Sequence, residues 1–193
     1  MLSNLVKYNI VLASQSPRRK HLLDGLGVKF EIVSVDADES IPENMSQEEV
    51  AIFLSRKKYD TYLEKYCDEN NLVITADTIV CLGSKIINKP EDRLHAIEML
   101  TELSGKMHRV ITGVTVGTNQ KILSFCDVSN VYFNELTTRE IEYYIDNYSP
   151  YDKAGSYGIQ EWIGYVSIKN IEGSYFNVMG LPTQKLYQIL KEF

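Results

Sequence analysis

The chain lacks the features that mark exported, membrane-spanning or broadly nucleic-acid-binding proteins. Its three cysteines, Cys67, Cys81 and Cys126, are far apart and form no C-x-x-C pair, which favours a reduced, cytoplasmic setting. No apolar run reaches the ~18 residues that a bilayer requires, and the N-terminus has no signal-peptide pattern. Its 20 basic residues are outnumbered by 26 acidic ones, and the net charge of −6 argues against binding to nucleic acid or an anionic membrane. We therefore expect a cytoplasmic protein with no membrane and no nucleic-acid partner.

Several widespread catalytic motifs are absent as well. The three histidines show no metal-ligand spacing, and the chain has neither a G-x-x-x-x-G-K-[ST] phosphate loop nor a G-x-S-x-G nucleophile elbow. It also has no linker rich in proline, glycine or serine, no internal repeat and no low-complexity block. We therefore predict that its 193 residues form a single domain, 1–193, large enough for one core or for two lobes.

Strand-like and helix-like stretches alternate along the chain, and several neighbouring strands are joined by short turns. This combination predicts the α/β class with a mixed β-sheet rather than a purely parallel one. In chain order, the predicted elements are a strand at 8–13, a helix at 17–26, a strand at 29–35, a helix at 47–68, a strand at 72–82 with a partner at KIIN, a helix opened by Pro90 and ended by Gly105, strands at 107–117 and 122–133, a helix from Thr137 or Thr138 to Tyr148, a strand pair near 162–178 and a helix after Pro182.

One predicted helix start carries charge of the unexpected sign. Residues 12–23 read LASQSPRRKHLL, so that Arg18 and Arg19 occupy the first helical turn, where a base is unfavourable by ~0.3–1 kcal/mol. With the backbone N–H groups and the hydroxyls of Ser14 and Ser16, the two guanidinium groups form a donor-rich site that suits phosphate oxygens. The alternative is that both arginines are solvated or pair with surface acids.

A single carboxylate interrupts the apolar run LVITADTIV. Asp77 must be paired, hydrogen-bonded or bound to a metal there, because burial of an isolated charge is costly. Facing a cluster of cations, it could hold a divalent metal or accept a proton from water. The alternative is a structural aspartate that caps a turn or joins a salt bridge.

Five further residues are weaker candidates when each is taken alone. Lys58 falls on the apolar stripe of its helix, Lys89 precedes a helix start, and Lys153 lies in a glycine-bearing loop. Glu39 could add a second metal-directed carboxylate, and the Gln160 amide could read the edge of a pyrimidine base. Each also has an ordinary interpretation as a solvated side chain or a backbone cap.

Taken in order, the motifs LASQSPRRKHLL, ITADTIV, NKP, LSGKMHRVITGV, DKAGSYGIQ and GSYFNVMGLP resemble those of the Maf family of nucleoside triphosphate pyrophosphatases. The resemblance covers nearly the whole chain. It implies hydrolysis of a nucleoside triphosphate between its α and β phosphates, a divalent metal (Mg²⁺ or Mn²⁺) and a homodimer. It also implies a Maf-like fold: an elongated mixed sheet flanked by helices, with two lobes around a central cleft.

The resemblance also assigns roles to individual residues. Asp77 is similar to the family's proton acceptor, and Glu39 is similar to an acidic residue that, with Asp77, would hold the metal. Arg18, Thr78 and Gln160 match the positions associated with base choice in the branch that acts on dTTP and UTP. The predicted substrate-binding residues are Ser14, Ser16, Arg18, Arg19, Lys58, Lys89 and Lys153.

The chain departs from the family pattern at two places. Glu161 and Trp162 follow Gln160 where the family usually has glycine, and Tyr59 follows Lys58 where it usually has alanine. The first change could reshape the wall beside the base, whereas we expect the second to affect packing. Two other functions stay open: a pyrophosphatase for 7-methyl-GTP or another purine, and a non-catalytic nucleotide-binding regulator of cell division.

Overall fold

The computed structural model describes residues 2–66 and 70–193, and these residues form a mixed α/β fold. This confirms the predicted fold class. The helices are α1 (Pro17–Asp24), α2 (Gln47–Lys65), α3 (Arg93–Leu103), α4 (Thr138–Tyr148), α5 (Trp162–Ser167), α6 (Tyr175–Met179) and α7 (Thr183–Leu190). The strands are β1 (Asn9–Ala13), β2 (Glu31–Val33), β3 (Asn71–Leu82), β4 (Lys85–Ile87), β5 (Met107–Gly117), β6 (Ile122–Phe133) and β7 (Ile168–Glu172).

The strands of the described residues form a seven-stranded mixed sheet in the order β2-β1-β3-β5-β6-β7, with β4 paired to β3. Strand β1 is parallel to β2 and to β3, and Leu12 lies opposite Ile74 in the register of β1 and β3. Strand β4 is antiparallel to β3, as the turn at Gly83 requires, and β7 is antiparallel to β6. Parallel and antiparallel pairs in one sheet are what the mixture of helical crossovers and short turns predicts.

The chain divides into two compact units. Unit 1 consists of the described residues of Met1–Asp77 with Thr112–Asp127 and Gly180–Phe193, and unit 2 consists of Thr78–Ile111 and Val128–Met179. Each unit has its own buried apolar cluster, built in unit 1 from Val11, Ala13, Tyr59, Tyr62 and Val73 and in unit 2 around α3, α4 and the strands beside them. Whether 1–193 acts as one functional domain stays a prediction.

Helix α2 is fixed at its N-terminus by a capping box and along its length by close packing. Ser46 and Glu49 satisfy each other's backbone N–H groups, as the sequence predicts. A Cβ atom added to Gly113 on β5 would lie 2.0 Å from the Ala51 carbonyl oxygen of α2, so only glycine permits this approach of helix and strand. Tyr59, one of the departures from the family pattern, is fully buried and donates to the Thr118 carbonyl. That position is consistent with a packing role.

The predicted strand pair near 162–178 is wrong. Only β7 is a strand there, and α5 and α6 flank it. In α5, the Ser167 hydroxyl donates to the Ile163 carbonyl, and a Cβ atom on Gly164 would lie 1.8 Å from the Ile159 carbonyl oxygen. These local contacts favour a helix although the segment is rich in β-branched and aromatic residues.

The other helix and strand predictions are confirmed with small shifts of their ends. Helix α1 ends at Asp24 rather than at residue 26. Helix α3 begins at Arg93 rather than at Pro90, because Asp92 is its N-cap. Helix α2 ends at Lys65, whereas the predicted positions 67 and 68, including Cys67, lie outside the described residues. Among the residues that are described, no helix is both long and apolar enough to cross a membrane.

Candidate active site

The candidate site in unit 1 is built around Asp77, which lies in the middle of β3 and is 8% exposed. Lys58 of α2 donates to Asp77 Oδ1, and its Nζ atom also lies 3.0 Å from Glu39 Oε1. A buried carboxylate without a partner costs several kcal/mol, so the ammonium group supplies the compensating charge. Lys58 therefore reaches inward to a carboxylate pair instead of extending into water.

Glu39 lies in the loop after β2, and the same helix holds that loop in place. Lys57 of α2 donates to Asp38 at 2.7 Å and to the Ser40 hydroxyl at 3.2 Å. The hydrogen bond from Lys57 to Asp38, with those from the Ser40 hydroxyl and backbone N–H, lowers the pKa of Asp38 well below its usual value. Lys57 thus contacts the residues on both sides of Glu39, and Lys58 contacts Glu39 itself.

The first turn of α1 provides the arginines of the site. Arg19 Nε donates to the Gly180 carbonyl at 2.9 Å, and one of its terminal nitrogens lies 3.5 Å from Ser14 Oγ. Burial lowers the pKa of Arg19 below its usual value, and the charge of Arg18 acts in the same direction, whereas the charges of Asp77 and Glu39 oppose them. The guanidinium of Arg19 therefore lies within electrostatic range of both carboxylates.

The two serines of the motif organise the turn that presents these cations. Ser16 is the N-cap of α1, and its hydroxyl accepts from the Arg19 backbone N–H at 3.4 Å. The Ser14 hydroxyl accepts from the Ser16 N–H at 3.2 Å. Unit 1 thus brings together all of its predicted site residues, which are Ser14, Ser16, Arg18, Arg19, Glu39, Lys58 and Asp77.

Unit 2 contains a second lysine held by carboxylates. Lys153, which is 8% exposed, lies 2.7 Å from Asp152 Oδ1 and 3.2 Å from Glu161 Oε1. Gly155 allows the turn, since its φ of 70° lies in the left-handed region. Its N–H donates to the Asn88 carbonyl at 3.1 Å, so the segment that carries Lys89 lies against the Lys153 turn. The side chain of Lys89 itself is exposed.

Gln160 belongs to the same cluster as Lys153. Its Nε2 atom donates to Glu161 Oε1 at 3.4 Å, and its Oε1 atom is buried with no hydrogen-bond partner among the described residues. Tyr144 of α4 donates to Glu161 Oε2, and the Gly158 N–H donates to the Tyr144 hydroxyl at 2.9 Å. Thr78, the third predicted base-choice residue with Arg18 and Gln160, is half-buried in β3 directly after Asp77.

Some functional groups could not be foreseen from single motifs. Glu161 stood out in the sequence as a departure from the family pattern, but its contacts with Lys153 and Tyr144 join separate segments. The Gly180 carbonyl, which accepts from Arg19, gives no sequence signal beyond its motif. Both contacts depend on tertiary structure rather than on local pattern.

The carboxylates of unit 1 fit the predicted metal in their chemistry. Asp77 and Glu39 both contact the Lys58 ammonium nitrogen, so two oxygen ligands of the kind that Mg²⁺ prefers lie close to each other. The described residues contain no group of three or more histidine, cysteine, aspartate or glutamate side chains that could hold a metal. A Mg²⁺ ion here would accordingly need phosphate oxygens and water to complete its shell, which is its usual mode of binding.

The fold and these clusters define an α/β protein whose candidate site suits a phosphorylated ligand. The family description "Maf-like protein" matches residues 9–193, and the chain belongs to the Maf family. A Bacteroides thetaiotaomicron protein named dTTP/UTP pyrophosphatase is 51% identical over 193 residues, covering 100% of both chains. Proteins of the same name from Bacteroides fragilis and Porphyromonas gingivalis are 53% and 49% identical, covering 100% of this chain and 100% and 98% of theirs.

Proposed function

We propose that this protein hydrolyses nucleoside triphosphates, with dTTP and UTP preferred, to the nucleoside monophosphate and pyrophosphate. The relatives that share about half of its residues over the full chain carry the name dTTP/UTP pyrophosphatase. The structural observation that carries the proposal is the cluster in unit 1, where Lys58 pairs with the buried Asp77 and the charge of Asp77 acts on Arg19 in the first turn of α1. A triphosphate brings about four negative charges to such a site, which explains why bases occupy the first turn of α1.

The residues of unit 1 divide into charge-stabilising and proton-accepting groups. Arg18, Arg19 and the Ser14 hydroxyl bind phosphate oxygens, and Lys58 adds positive charge beside the carboxylate. Asp77 orients the attacking water and accepts its proton. The bond between the α and β phosphates then breaks, and pyrophosphate leaves with its charge stabilised by the cations, so positioning and electrostatics supply most of the rate.

We also propose that a divalent cation, Mg²⁺ or Mn²⁺, binds at Glu39 and Asp77. When bound, it would neutralise charge on the phosphate oxygens. The proposal is supported by two carboxylates, one from the loop after β2 and one from β3, that lie close enough to each other to share the Lys58 ammonium group.

We also propose where the protein acts and how it assembles. A cytoplasmic location is supported by the cysteine pattern, because the three cysteines are far apart in the sequence and form no C-x-x-C pair. A homodimer is implied by the family resemblance, and light scattering on the purified protein measures it directly.

A substrate panel tests the proposed function. The purified protein is incubated with Mg²⁺ or Mn²⁺ and with dTTP, UTP, CTP, GTP, ATP or 7-methyl-GTP, and pyrophosphate and monophosphate are measured. We expect equal amounts of both products, fastest with dTTP and UTP, and no product when the metal is removed with a chelator. Turnover of purines alone would overturn the pyrimidine preference, and silence across the panel would favour the non-catalytic regulator.

A further inference from the structure

Glu161 makes polar contacts with two predicted site residues, Lys153 and Gln160, and no sequence pattern indicates these contacts. Its carboxylate lies 3.2 Å from Lys153 Nζ and accepts from Gln160 Nε2 and from the Tyr144 hydroxyl. Its side chain is 19% exposed, so these contacts form in a largely dry environment. One side chain thus joins the lysine and the amide of the second cluster.

These contacts are not a by-product of helix capping. Glu161 is the N-cap residue of α5, but its side chain makes no capping hydrogen bond. The carboxylate instead lies over Gly158, where an added Cβ atom would come within 2.8 Å of Glu161 Cδ and 2.9 Å of Gln160 Nε2. Glycine at this position leaves the room that Glu161 and Gln160 both occupy.

The contact with Glu161 determines which way the Gln160 amide faces. An ionised carboxylate only accepts hydrogen bonds, so it requires the NH₂ group of the amide on its side. The amide oxygen must then point the other way, and this is the buried Oε1 atom with no partner in the described part of the chain. A buried acceptor without a donor is costly, which suits an atom that receives its donor from a ligand.

The Tyr144 hydroxyl holds the carboxylate from the opposite side. Burial, and then the hydrogen bond to Glu161, raises the pKa of Tyr144 above its usual value, so the hydroxyl keeps its proton and remains a donor. The Gly158 N–H donates to the same hydroxyl oxygen. The orientation of Glu161 is therefore fixed by α4 and by the backbone of its own loop.

We propose that Glu161 is a positioning residue for base recognition, holding Lys153 in place and fixing the Gln160 amide with its oxygen ready to accept. This inference rests on the proposed function. An acceptor in that orientation matches the N3–H group of uracil and thymine, whereas the N3 atom of cytosine is itself an acceptor. The arrangement thereby selects dTTP and UTP over CTP by leaving the wrong base without a matching hydrogen bond.

The variant Glu161→Gln tests this role, because it keeps the size of the side chain but removes its acceptor-only character. A glutamine at this position accepts or donates, so the Gln160 amide loses its preferred orientation. We expect the ratio of kcat/KM for UTP to that for CTP to fall about tenfold. The change lies in KM for UTP, with kcat nearly unchanged, because Glu161 does not touch the reacting atoms.

Glu172→Gln is the matched control for this variant. Glu172 also accepts from a tyrosine hydroxyl and a side-chain amide in unit 2, those of Tyr132 and Asn130, but it is exposed and has no predicted role. We expect the ratio of kcat/KM for UTP to that for CTP in Glu172→Gln to equal that of the wild type. If thermal melting shows that Glu161→Gln does not fold, Glu161→Asp replaces it, because the shorter side chain withdraws the carboxylate and lowers the same ratio.

The outcomes separate this inference from the proposed function. A wild type that releases pyrophosphate while treating UTP and CTP alike, or a folded Glu161 variant with an unchanged ratio, overturns the positioning role alone. Equal losses with both nucleotides would indicate a merely structural residue and overturn it too. A wild type that releases no pyrophosphate from any nucleotide overturns both.

Discussion

Each unit of the molecule holds a lysine between one less exposed and one more exposed carboxylate, but the surroundings of the two lysines differ. Lys58 pairs with Asp77, whose side chain is 11% exposed, and with Glu39 at 50%. Lys153 pairs with Glu161 at 19% and with Asp152 at 56%. In unit 1 the less exposed carboxylate lies within electrostatic range of an arginine, whereas in unit 2 it accepts from a tyrosine hydroxyl and an amide.

We infer from this difference that charged groups mainly bind the phosphates, whereas oriented donors and acceptors select the base. Full charges attract phosphate groups strongly but carry little information about the base, because every nucleotide has the same triphosphate. Neutral donors and acceptors in fixed orientation attract weakly but discriminate well. We therefore expect Asp77→Asn and Arg19→Lys to slow all nucleotides equally, and substitutions at Glu161 to change the preference among them.

The largest expected effect tests the chemical role of unit 1. Asp77→Asn keeps the size of the side chain but removes the proton acceptor, so kcat should fall on the order of 10³-fold for every nucleotide. The measurement is pyrophosphate release at saturating UTP and CTP. The ratio of the two rates should not change, because Asp77 acts on the reacting phosphate and not on the base.

Asp127→Asn is the matched control for this loss. Asp127 is a half-buried aspartate of β6 in the same unit, and it also pairs with a lysine, Lys185, at 2.6 Å. We expect its turnover to stay within about twofold of the wild type. If Asp77→Asn kept near-normal turnover, or Asp127→Asn lost as much, the proton-accepting role of Asp77 would be refuted.

The next effect concerns the stability of the fold and the buried His108 of unit 2. Burial lowers the pKa of His108 to about 4, and His108 contacts the rings of Phe133 and Tyr157. Below pH 6.5 the unfolded chain takes up a proton that the folded chain does not bind until about pH 4, so folding is destabilised as the pH falls through this window. The free energy of unfolding should lose about 3 kcal/mol from this residue between pH 6.5 and 4, and nothing above pH 6.5.

His108→Gln checks this contribution, because an amide can still hydrogen-bond to the Tyr157 hydroxyl, which lies 2.8 Å from His108 Nε2. Denaturant unfolding at pH 7 and at pH 4.5 should show a smaller loss of stability in this variant than in the wild type. The exposed His21→Gln serves as the control and should retain the full loss. An equal loss in all three proteins would contradict a buried neutral histidine.

The candidates of the unit 1 cluster are visible in the sequence because each of its main residues breaks a local rule. A carboxylate in an apolar strand, bases at a helix start and a lysine on an apolar stripe are visible as patterns at Asp77, Arg18, Arg19 and Lys58. The elements that carry them also follow local signals, such as the capping box at Ser46. The local sequence pattern is therefore enough to identify these candidates.

The contacts of Glu161 in unit 2, and the fold of the segment after it, could not be predicted in the same way. The role of Glu161 depends on Tyr144 and Lys153, which lie on other segments, and nothing near Glu161 indicates them. The error at 162–178 has a related cause, because α5 and α6 are too short to show a helical period. In both cases contacts between distant segments decide the outcome.

The smallest expected effect separates geometry from charge in unit 1. Arg19→Lys keeps the positive charge but replaces a planar fork by a single ammonium group. The guanidinium donates from Nε to the Gly180 carbonyl, and one of its terminal nitrogens lies 3.5 Å from Ser14 Oγ, so one group contacts both the backbone and the Ser14 hydroxyl. A lysine cannot do both, and kcat/KM should fall about tenfold for UTP and CTP alike.

Arg93→Lys is the control for this change, since Arg93 makes a two-pronged contact with Asp146 at 2.7 and 2.9 Å on the exposed side of unit 2. Arg93→Lys loses the same planar guanidinium group, but an exposed ion pair contributes little to stability. Activity should therefore not change. A shift in the ratio of UTP to CTP in Arg19→Lys would mean that this arginine also reads the base. Arg19 would then contribute to base choice as well as to phosphate binding, which would contradict a purely electrostatic role for it.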